Sequence, residues 1–199
     1  DASSYYELGV LYKENCDDEH ALESFKHAVE LNNKHRLALY ELGIIYEKNK
    51  DYDNAIKNYT ESLRLKEDSE VYQNLGVCCL KKGDFKKAYL NLTKALLLNP
   101  NKYTIYNNLG AVLERAGNYD SATQMLEIAI KLNPNNIIGH YNLAVVLDKK
   151  GDFENAMKSY EKSVELGHKN SSEIKKRIKQ LKAIMANTPK YGYSFKVGG

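Results

Sequence analysis

The sequence lacks several features that would indicate a particular function or location. No run as long as the ~18 apolar residues that indicate a membrane span occurs among the 199 residues. The chain begins at Asp1 with no methionine, basic region or apolar core of a secretory signal. We therefore predict a soluble fragment or processed chain without a transmembrane segment.

Cysteine is scarce, since only Cys16, Cys78 and Cys79 are present. An odd count with two adjacent members argues against a disulfide framework, because adjacent residues on a helix strain disulfide geometry. A reducing compartment is the default for such a chain. The sequence predicts an intracellular protein, cytoplasmic unless other evidence points to the cilium or the nucleus.

Motifs that carry chemistry are also missing. The sequence has no Cys-x-x-Cys, no His-Glu-x-x-His, no phosphate-binding glycine loop and no nucleophile elbow. The five histidines are scattered along the chain, at His20, His27, His35, His140 and His168. We predict no catalytic residue, no metal site and no cofactor, and so no enzyme.

What is present is the composition of a folded chain. Hydrophobic residues make up 43% and charged residues 28%, which fits one compact domain or a short repeat array and excludes collagen and disorder. The net charge of +3 conceals a division. Eight basic residues and one acidic residue follow His168, a net +7, whereas the preceding residues carry −4.

A repeat of about 34 residues organises the chain. Leucine followed by glycine or alanine recurs at intervals of 33 or 34 residues, at Leu8, Leu42, Leu75, Leu109 and Leu143. Thirteen residues after each leucine stands an alanine: Ala21, Ala55, Ala88, Ala122 and Ala156. Four residues later comes a large apolar side chain: Phe25, Tyr59, Leu92, Leu126 and Tyr160. Five copies in register predict five stacked units.

Each copy is predicted to be two helices, because its apolar positions follow the i, i+3, i+4, i+7 spacing. Gly83, Gly117 and Gly151 fall between the two helices, where a left-handed residue ends a helix. Cys16 and Lys50 stand there in the first two copies, which makes those turns less certain. One copy cannot bury both of its faces, so the copies must stack.

At these residues the sequence resembles the tetratricopeptide repeat (TPR) family. The resemblance implies an all-α fold, a right-handed superhelical solenoid of five helix-turn-helix repeats plus a C-terminal capping helix. The implied repeats span 2–35, 36–68, 69–102, 103–136 and 137–168. An amphipathic helix at 169–186 is the predicted cap, with Ile174, Ile178, Leu181 and Met185 on one face. A tail at 187–199, rich in tyrosine and glycine, has the period of an extended strand.

By analogy with the family, the residue before each Leu-Gly pair faces a concave groove. Asn74, Asn108 and Asn142 stand there in the last three copies. They resemble the asparagine ladder of superhelical TPR arrays such as that of the O-linked N-acetylglucosamine transferase, which holds an extended polypeptide. Neighbouring wall residues complete the predicted peptide-binding site: Tyr40, Gln73, Asn107, Tyr141, Val77, Ala111 and Val145.

These surfaces admit other interpretations. The three asparagines could simply keep a groove wet in an asparagine-rich chain. Capture of a chaperone's C-terminal carboxylates requires cations at set wall positions, and Tyr6, Val10, Glu41, Glu70 and Asn74 supply none. The basic terminal helix suggests nucleic acid or an anionic membrane, but a solvated capping face explains it better and the acidic body opposes a phosphate track.

The sequence therefore predicts a non-catalytic scaffold or adaptor that binds an extended polypeptide segment in its concave groove. The first alternative is a structural subunit of a multiprotein assembly, such as a ciliary, cell-cycle or transport complex, that uses its convex or edge surfaces. The second is a targeting module of a larger enzyme. Nucleic acid is an improbable partner, and the tail could mediate self-association by docking on a groove of this chain or of a second copy.

Overall fold

The computed structural model of the chain describes residues 1–187, which form eleven α-helices and no β-strand. The helices are α1 (Ala2–Glu14), α2 (Asp18–Leu31), α3 (Arg36–Lys48), α4 (Tyr52–Leu65), α5 (Ser69–Lys81), α6 (Phe85–Leu98), α7 (Tyr103–Arg115), α8 (Tyr119–Leu132), α9 (Ile137–Lys150), α10 (Phe153–Glu165) and α11 (Ser171–Asn187). Each helix packs on the next, and two lie in each predicted repeat. The all-α solenoid is confirmed.

Most of these helices are preceded by a polar N-cap residue, whose side chain accepts a hydrogen bond from a free backbone N–H group of the first turn. Asp17, Asp51, Asp84 and Asp152 each accept a hydrogen bond from the backbone N–H three residues later. Lys102 stands at this position before α7 and makes no side-chain cap. The hydrogen bonds hold the pKa of Asp84 below its ordinary value, because they favour the ionised carboxylate.

The turns inside the repeats share one backbone conformation. Gly83, Gly117 and Gly151 have φ of 81°, 79° and 82°, which confirms the left-handed residue predicted there. Cys16 and Lys50 adopt the same conformation, with φ of 60° and 61°, although they carry a Cβ. The less certain turns of the first two copies are therefore built like the others, at a cost of about 1–2 kcal/mol for each residue.

The hydrophobic core is built around the small residues that recur at fixed positions of the repeat. The alanine at the fourth residue of each second helix is fully buried. Phe25, Tyr59, Leu92 and Leu126 are fully buried as well, and Tyr160 is 5% exposed. Opposite them lies the glycine of each Leu-Gly pair: a Cβ on Gly76 would meet Leu92 Cγ at 2.7 Å. The glycines therefore let the two helices of a repeat approach more closely than any larger residue would allow.

The last helix covers the end of the array. Ile174, Ile178 and Leu181 are buried against residues of α9 and α10. Met185, predicted on the same face, is instead 39% exposed. Arg177 of α11 donates to both oxygens of Asp148 of α9, each at 2.7 Å, a paired contact that fixes the orientation of α11. Of the predicted tail, only Asn187 lies within the described residues, where it ends α11.

Candidate functional site

A cleft of about 310 Å³ lies between α7 and α9, the first helices of the fourth and fifth repeats. Four residues of the predicted peptide-binding site line it: Ala111, Tyr141, Asn142 and Val145. We call it the α7–α9 cleft. First helices also meet at α5 and α7, so the surface that holds the cleft continues along the array.

The cleft exists because α7 presents small residues toward α9. Because Gly110 has no side chain and that of Ala111 is small, the cleft reaches down to Leu126 of α8, which lies at its floor. From α9, Tyr141, Asn142 and Val145 enter from one face, since residues three and four apart lie together on a helix. The result is an apolar floor with one amide at its side. An amide supplies both a donor and an acceptor, the complement of a peptide group.

Charged residues at the cleft were not predicted. Glu114 of α7, whose side chain is 11% exposed, pairs with Lys149 of α9 and lies 3.5 Å from Arg115 Nε. One carboxylate thus faces two cations, which leaves the cleft mildly positive. The sequence did hold a signal, because these residues stand three or four positions after Ala111 and Val145 and so share their helix face.

Asn107 does not face the cleft. It is 6% exposed, and its amide exchanges two hydrogen bonds with the amide of Asn136, at 3.0 and 2.9 Å. Asn136 also accepts from the Gly139 N–H and so caps α9. Any Cβ on residue 139 would collide with the Asn136 amide. The side chain of Asn107 is therefore engaged in joining α7 to α9.

The other predicted wall residues are half-buried outside this cleft. Asn74 and Asn108 occupy on α5 and α7 the repeat position that Asn142 occupies on α9, and Val77 is the equivalent of Val145. Gln73 Oε1 accepts a hydrogen bond from Thr104 Oγ1 at 3.2 Å. The structure therefore brings four of the ten predicted residues together in one cleft and distributes the rest.

The wall changes character in the first two repeats. Tyr40 packs against Tyr59 with ring centroids 6.1 Å apart. Burial, followed by the nearby charge of Glu70, raises the pKa of Tyr40, so its hydroxyl stays protonated. Glu41, at the ladder position of the second repeat, accepts from Lys13 Nζ at 2.5 Å. In the second repeat an ion pair therefore takes the place of the ladder amide.

At the C-terminal end, Tyr141 stacks on His168 with ring centroids 4.6 Å apart. His168 is 5% exposed, and its Nδ1 accepts a hydrogen bond from the Asn170 N–H at 3.1 Å. Burial and, to a lesser extent, the charge of Lys169 lower the pKa of His168 below its ordinary value. The folded chain therefore favours the neutral imidazole.

Acidification should consequently loosen the C-terminal end of the array. Because the pKa of His168 is lower in the folded chain, the unfolded chain binds more protons as the pH falls. The stabilisation is complete above the unfolded value of about 6.5 and is lost as the pH drops through the lowered one. We expect the Tm of the wild type to fall between pH 7 and pH 5 by more than that of His168→Asn, whose amide oxygen keeps the acceptor.

Hydrogen exchange at the Ile178 and Leu181 amides would locate the effect in α11. An identical fall of Tm for His168→Asn and the wild type would show that His168 does not carry the effect.

No group of three or more His, Cys, Asp or Glu side chains in residues 1–187 is arranged to hold a metal ion. Cys78 and Cys79 are buried, and burial raises the pKa of both thiols, so they stay protonated at neutral pH. Within the same residues, none of the helices combines the length and apolarity needed to cross a membrane.

Comparison with known families gives two matches. A family model described as "Cilia and flagella-associated protein 70 middle TPR-like domain" matches residues 45–167, more than half of the chain. A second model, described as "Tetratricopeptide repeat", matches residues 2–35. Among curated proteins, none matches the chain.

Solved structures share the fold. MamA (41-end) from Desulfovibrio magneticus RS-1 superposes with a TM-score of 0.78 at 22% identity, covering 85% of this chain and 96% of its own. YrrB, described as a TPR protein with an unusual peptide-binding site, gives 0.76 at 24% identity, covering 90% and 92%. PilF from Pseudomonas aeruginosa gives 0.73 at 20% identity, covering 94% and 93%.

Proposed function

Because the chain belongs to the TPR family described as the middle TPR-like domain of cilia and flagella-associated protein 70, we propose that it is a non-catalytic scaffold that binds an extended segment of another protein. The segment lies along the first helices. The observation that carries the proposal is the α7–α9 cleft, where Asn142 stands beside an apolar floor.

In the proposed complex the Asn142 amide holds a peptide group of the partner, and the floor over Gly110 and Ala111 takes a small or medium apolar side chain. Asn74 and Asn108 hold further peptide groups at the preceding repeats. First helices about 10 Å apart and an extended chain that advances about 3.3 Å per residue place one clamp at every third residue. The partner must therefore be extended along this stretch.

Three further observations bear on this proposal. Asn107 is excluded from the proposed contacts, because its amide is engaged with Asn136. The mild positive charge from Arg115 and Lys149 around Glu114 favours a partner segment with a carboxylate near the cleft. Among proteins of the same fold, YrrB is described as having a peptide-binding site.

The proposal is tested by affinity capture from a source-cell lysate followed by quantitative mass spectrometry. The wild type is compared with Asn74→Ala/Asn108→Ala/Asn142→Ala. We expect specific partners to fall at least about tenfold with the triple variant, because each lost amide leaves partner peptide groups unpaired. The matched control is Asn49→Ala/Asn101→Ala/Asn135→Ala, three exposed turn asparagines, which should retain every partner. Equal capture by both triple variants would refute groove binding.

A second candidate function is a structural subunit of an assembly, in line with the ciliary and flagellar description of the matched family. The observation that favours it is an apolar pair one turn apart on the second helix α8, where Ile128 is 37% and Leu132 41% exposed. Loss of assembly-sized partners with Ile128→Lys/Leu132→Lys but not with the asparagine triple would select this function over groove binding.

A further inference from the structure

A second kind of cleft opens between α4, α5 and α6 and has no residue in common with the α7–α9 cleft. Its volume is about 530 Å³. The apolar side chains that line it are Ile56, Leu63, Tyr72, Leu75, Cys79 and Leu90. We call it the α4–α6 cleft.

The same cleft recurs elsewhere in the array, which supplies an internal comparison. An equivalent lies between α2, α3 and α4 with a volume of about 390 Å³. In the repeat register, Tyr46 of that cleft corresponds to Cys79, and Lys57 corresponds to Leu90. Cys79 is smaller than Tyr46, and Leu90 is apolar where Lys57 is charged. The α4–α6 cleft is therefore larger and more apolar than its equivalent.

The charges differ as well. The α2–α4 equivalent is lined by two cations and two carboxylates, Lys26, Lys57, Glu30 and Glu61. In the α4–α6 cleft the residue that corresponds to Glu30 is Arg64, and the one that corresponds to Glu61 is Lys94. Lys87 adds a third cation, and no carboxylate lines this cleft among the described residues. One cleft is thus electrically balanced, whereas the other is positive.

Local ion pairs offset this charge only in part. Arg64 pairs with Glu61 at 2.6 Å and Lys87 with Asp84 at 3.1 Å, each one turn away on an exposed helix face. Such pairs contribute little in water. Lys94 Nζ instead lies 5.2 Å from the centroid of the Tyr72 ring, at the border of the cleft. All three cations therefore stand ready to attract an anionic group.

The apolar surface continues from the cleft along α6. Leu90 is 55% exposed and Leu97, two turns further on the same face, is 79% exposed. At the position of Leu97 the other second helices carry charged residues only, namely Glu30, Arg64, Lys131 and Glu165. At the position of Leu90 they carry Glu23, Lys57, Gln124 and Lys158. Exposed leucines at both positions are thus specific to α6.

We propose that the α4–α6 cleft is a docking site for an acidic segment of a partner protein that inserts a large apolar side chain beside Leu90. Cys79 leaves the space for that side chain, and Arg64, Lys87 and Lys94 pair with carboxylates around it. A concave, three-sided cleft suits an inserted side chain, whereas a flat bilayer surface would leave it unfilled. This contact gives the chain a second binding surface. It shares no residue with the α7–α9 cleft, where another segment is proposed to bind.

The test uses a fluorescein-labelled acidic peptide with leucines at positions i and i+7, together with its Leu→Ser and Glu→Gln versions. Anisotropy titrations should give saturable binding to the wild type and at least about tenfold weaker binding of both altered peptides. Leu90→Gln, which installs the neutral residue native at Gln124 of α8, should weaken binding of the acidic peptide by a similar factor, because it removes the apolar contact without changing the charge of the cleft. Because Leu90 is exposed, this variant keeps the fold, and circular dichroism verifies it.

Two controls separate this site from the groove. Asn142→Ala should leave the affinity unchanged, and Lys57→Leu at the equivalent cleft should not lower it. Cys79→Tyr, which fills the cleft as Tyr46 does in the equivalent one, should abolish binding. Because Cys79 is buried, the exposed-site variant Leu90→Gln tests the same cleft without a risk of misfolding. The proposal is overturned if the acidic peptide does not bind, if Leu90→Gln binds as tightly as the wild type, or if the Glu→Gln peptide binds equally well.

A membrane is the competing source of anionic groups. Sedimentation with phosphatidylcholine vesicles that contain phosphatidylserine should show no Leu90-dependent binding. Binding to these vesicles that Leu90→Gln abolishes, with no binding of the peptide, would overturn the partner segment in favour of a lipid surface.

Discussion

Replacing Gly110 with valine is expected to lower the free energy of unfolding by about 3 kcal/mol. A Cβ at this position would meet Leu126 Cγ at 2.6 Å and Cδ2 at 2.8 Å. Leu126 is fully buried and cannot move aside without displacing its neighbours. The two helices of the fourth repeat would therefore separate, and urea unfolding followed by circular dichroism should show the loss.

The next residue supplies the matched control. Ala111→Val adds similar bulk on the same helix, but Ala111 is half-buried and lines the open α7–α9 cleft. Valine is native at the equivalent positions, Val77 and Val145. We expect a change within about 0.5 kcal/mol. If both valine variants lost the same stability, helix propensity rather than close approach would explain the effect.

Removal of the Asn136 side chain should be comparably damaging, at about 3 kcal/mol for Asn136→Ala. Two losses combine here. The cap on α9 disappears, at a cost of about 0.5–2 kcal/mol, and the buried amide of Asn107 loses both of its partners, at about 1–3 kcal/mol. Urea unfolding of the variant measures the sum, and hydrogen exchange of the first turn of α9 shows where it falls.

A double-mutant cycle separates the two losses. Asn107→Ala alone leaves the cap in place, and the coupling between Asn107→Ala and Asn136→Ala should be about 1–2 kcal/mol. Asn135→Ala is the control, because Asn135 is exposed one residue away. A coupling near zero would show that the two amides stabilise the array independently and that their pairing does not join α7 to α9.

The spacing of the repeat predicted most of the fold. Spacings of 33 or 34 residues between Leu-Gly pairs and the fixed offset to each alanine predicted helix pairs, and the structure has two helices in each predicted segment. The turns at Cys16 and Lys50 follow the same geometry without glycine. A repeated unit constrains its own backbone strongly enough that one departure from the pattern does not change the turn.

The candidate site was predicted less completely, because side-chain direction depends on neighbours from another repeat. Asn107 stands one residue before Asn108 and was assigned to the same wall, yet it is buried against Asn136. The signal for this contact was Gly139, which takes the place of the larger Ala38, Val71 and Ile105 of other repeats. Its lack of a side chain makes room for the amide pair, and no single helix reveals that.

The sequence by itself determined the helix pairs, their turns and their alternation of small and large core residues, because these follow from contacts repeated within about 34 residues. Only the tertiary structure decided which wall residues share a cleft, which amide is engaged elsewhere, and that Cys79 and Leu90 open a positively charged cleft beside α6. Those features arise where side chains from three helices meet. Their volumes and charges combine in space, so the spacing of residues within one helix does not show which of them meet.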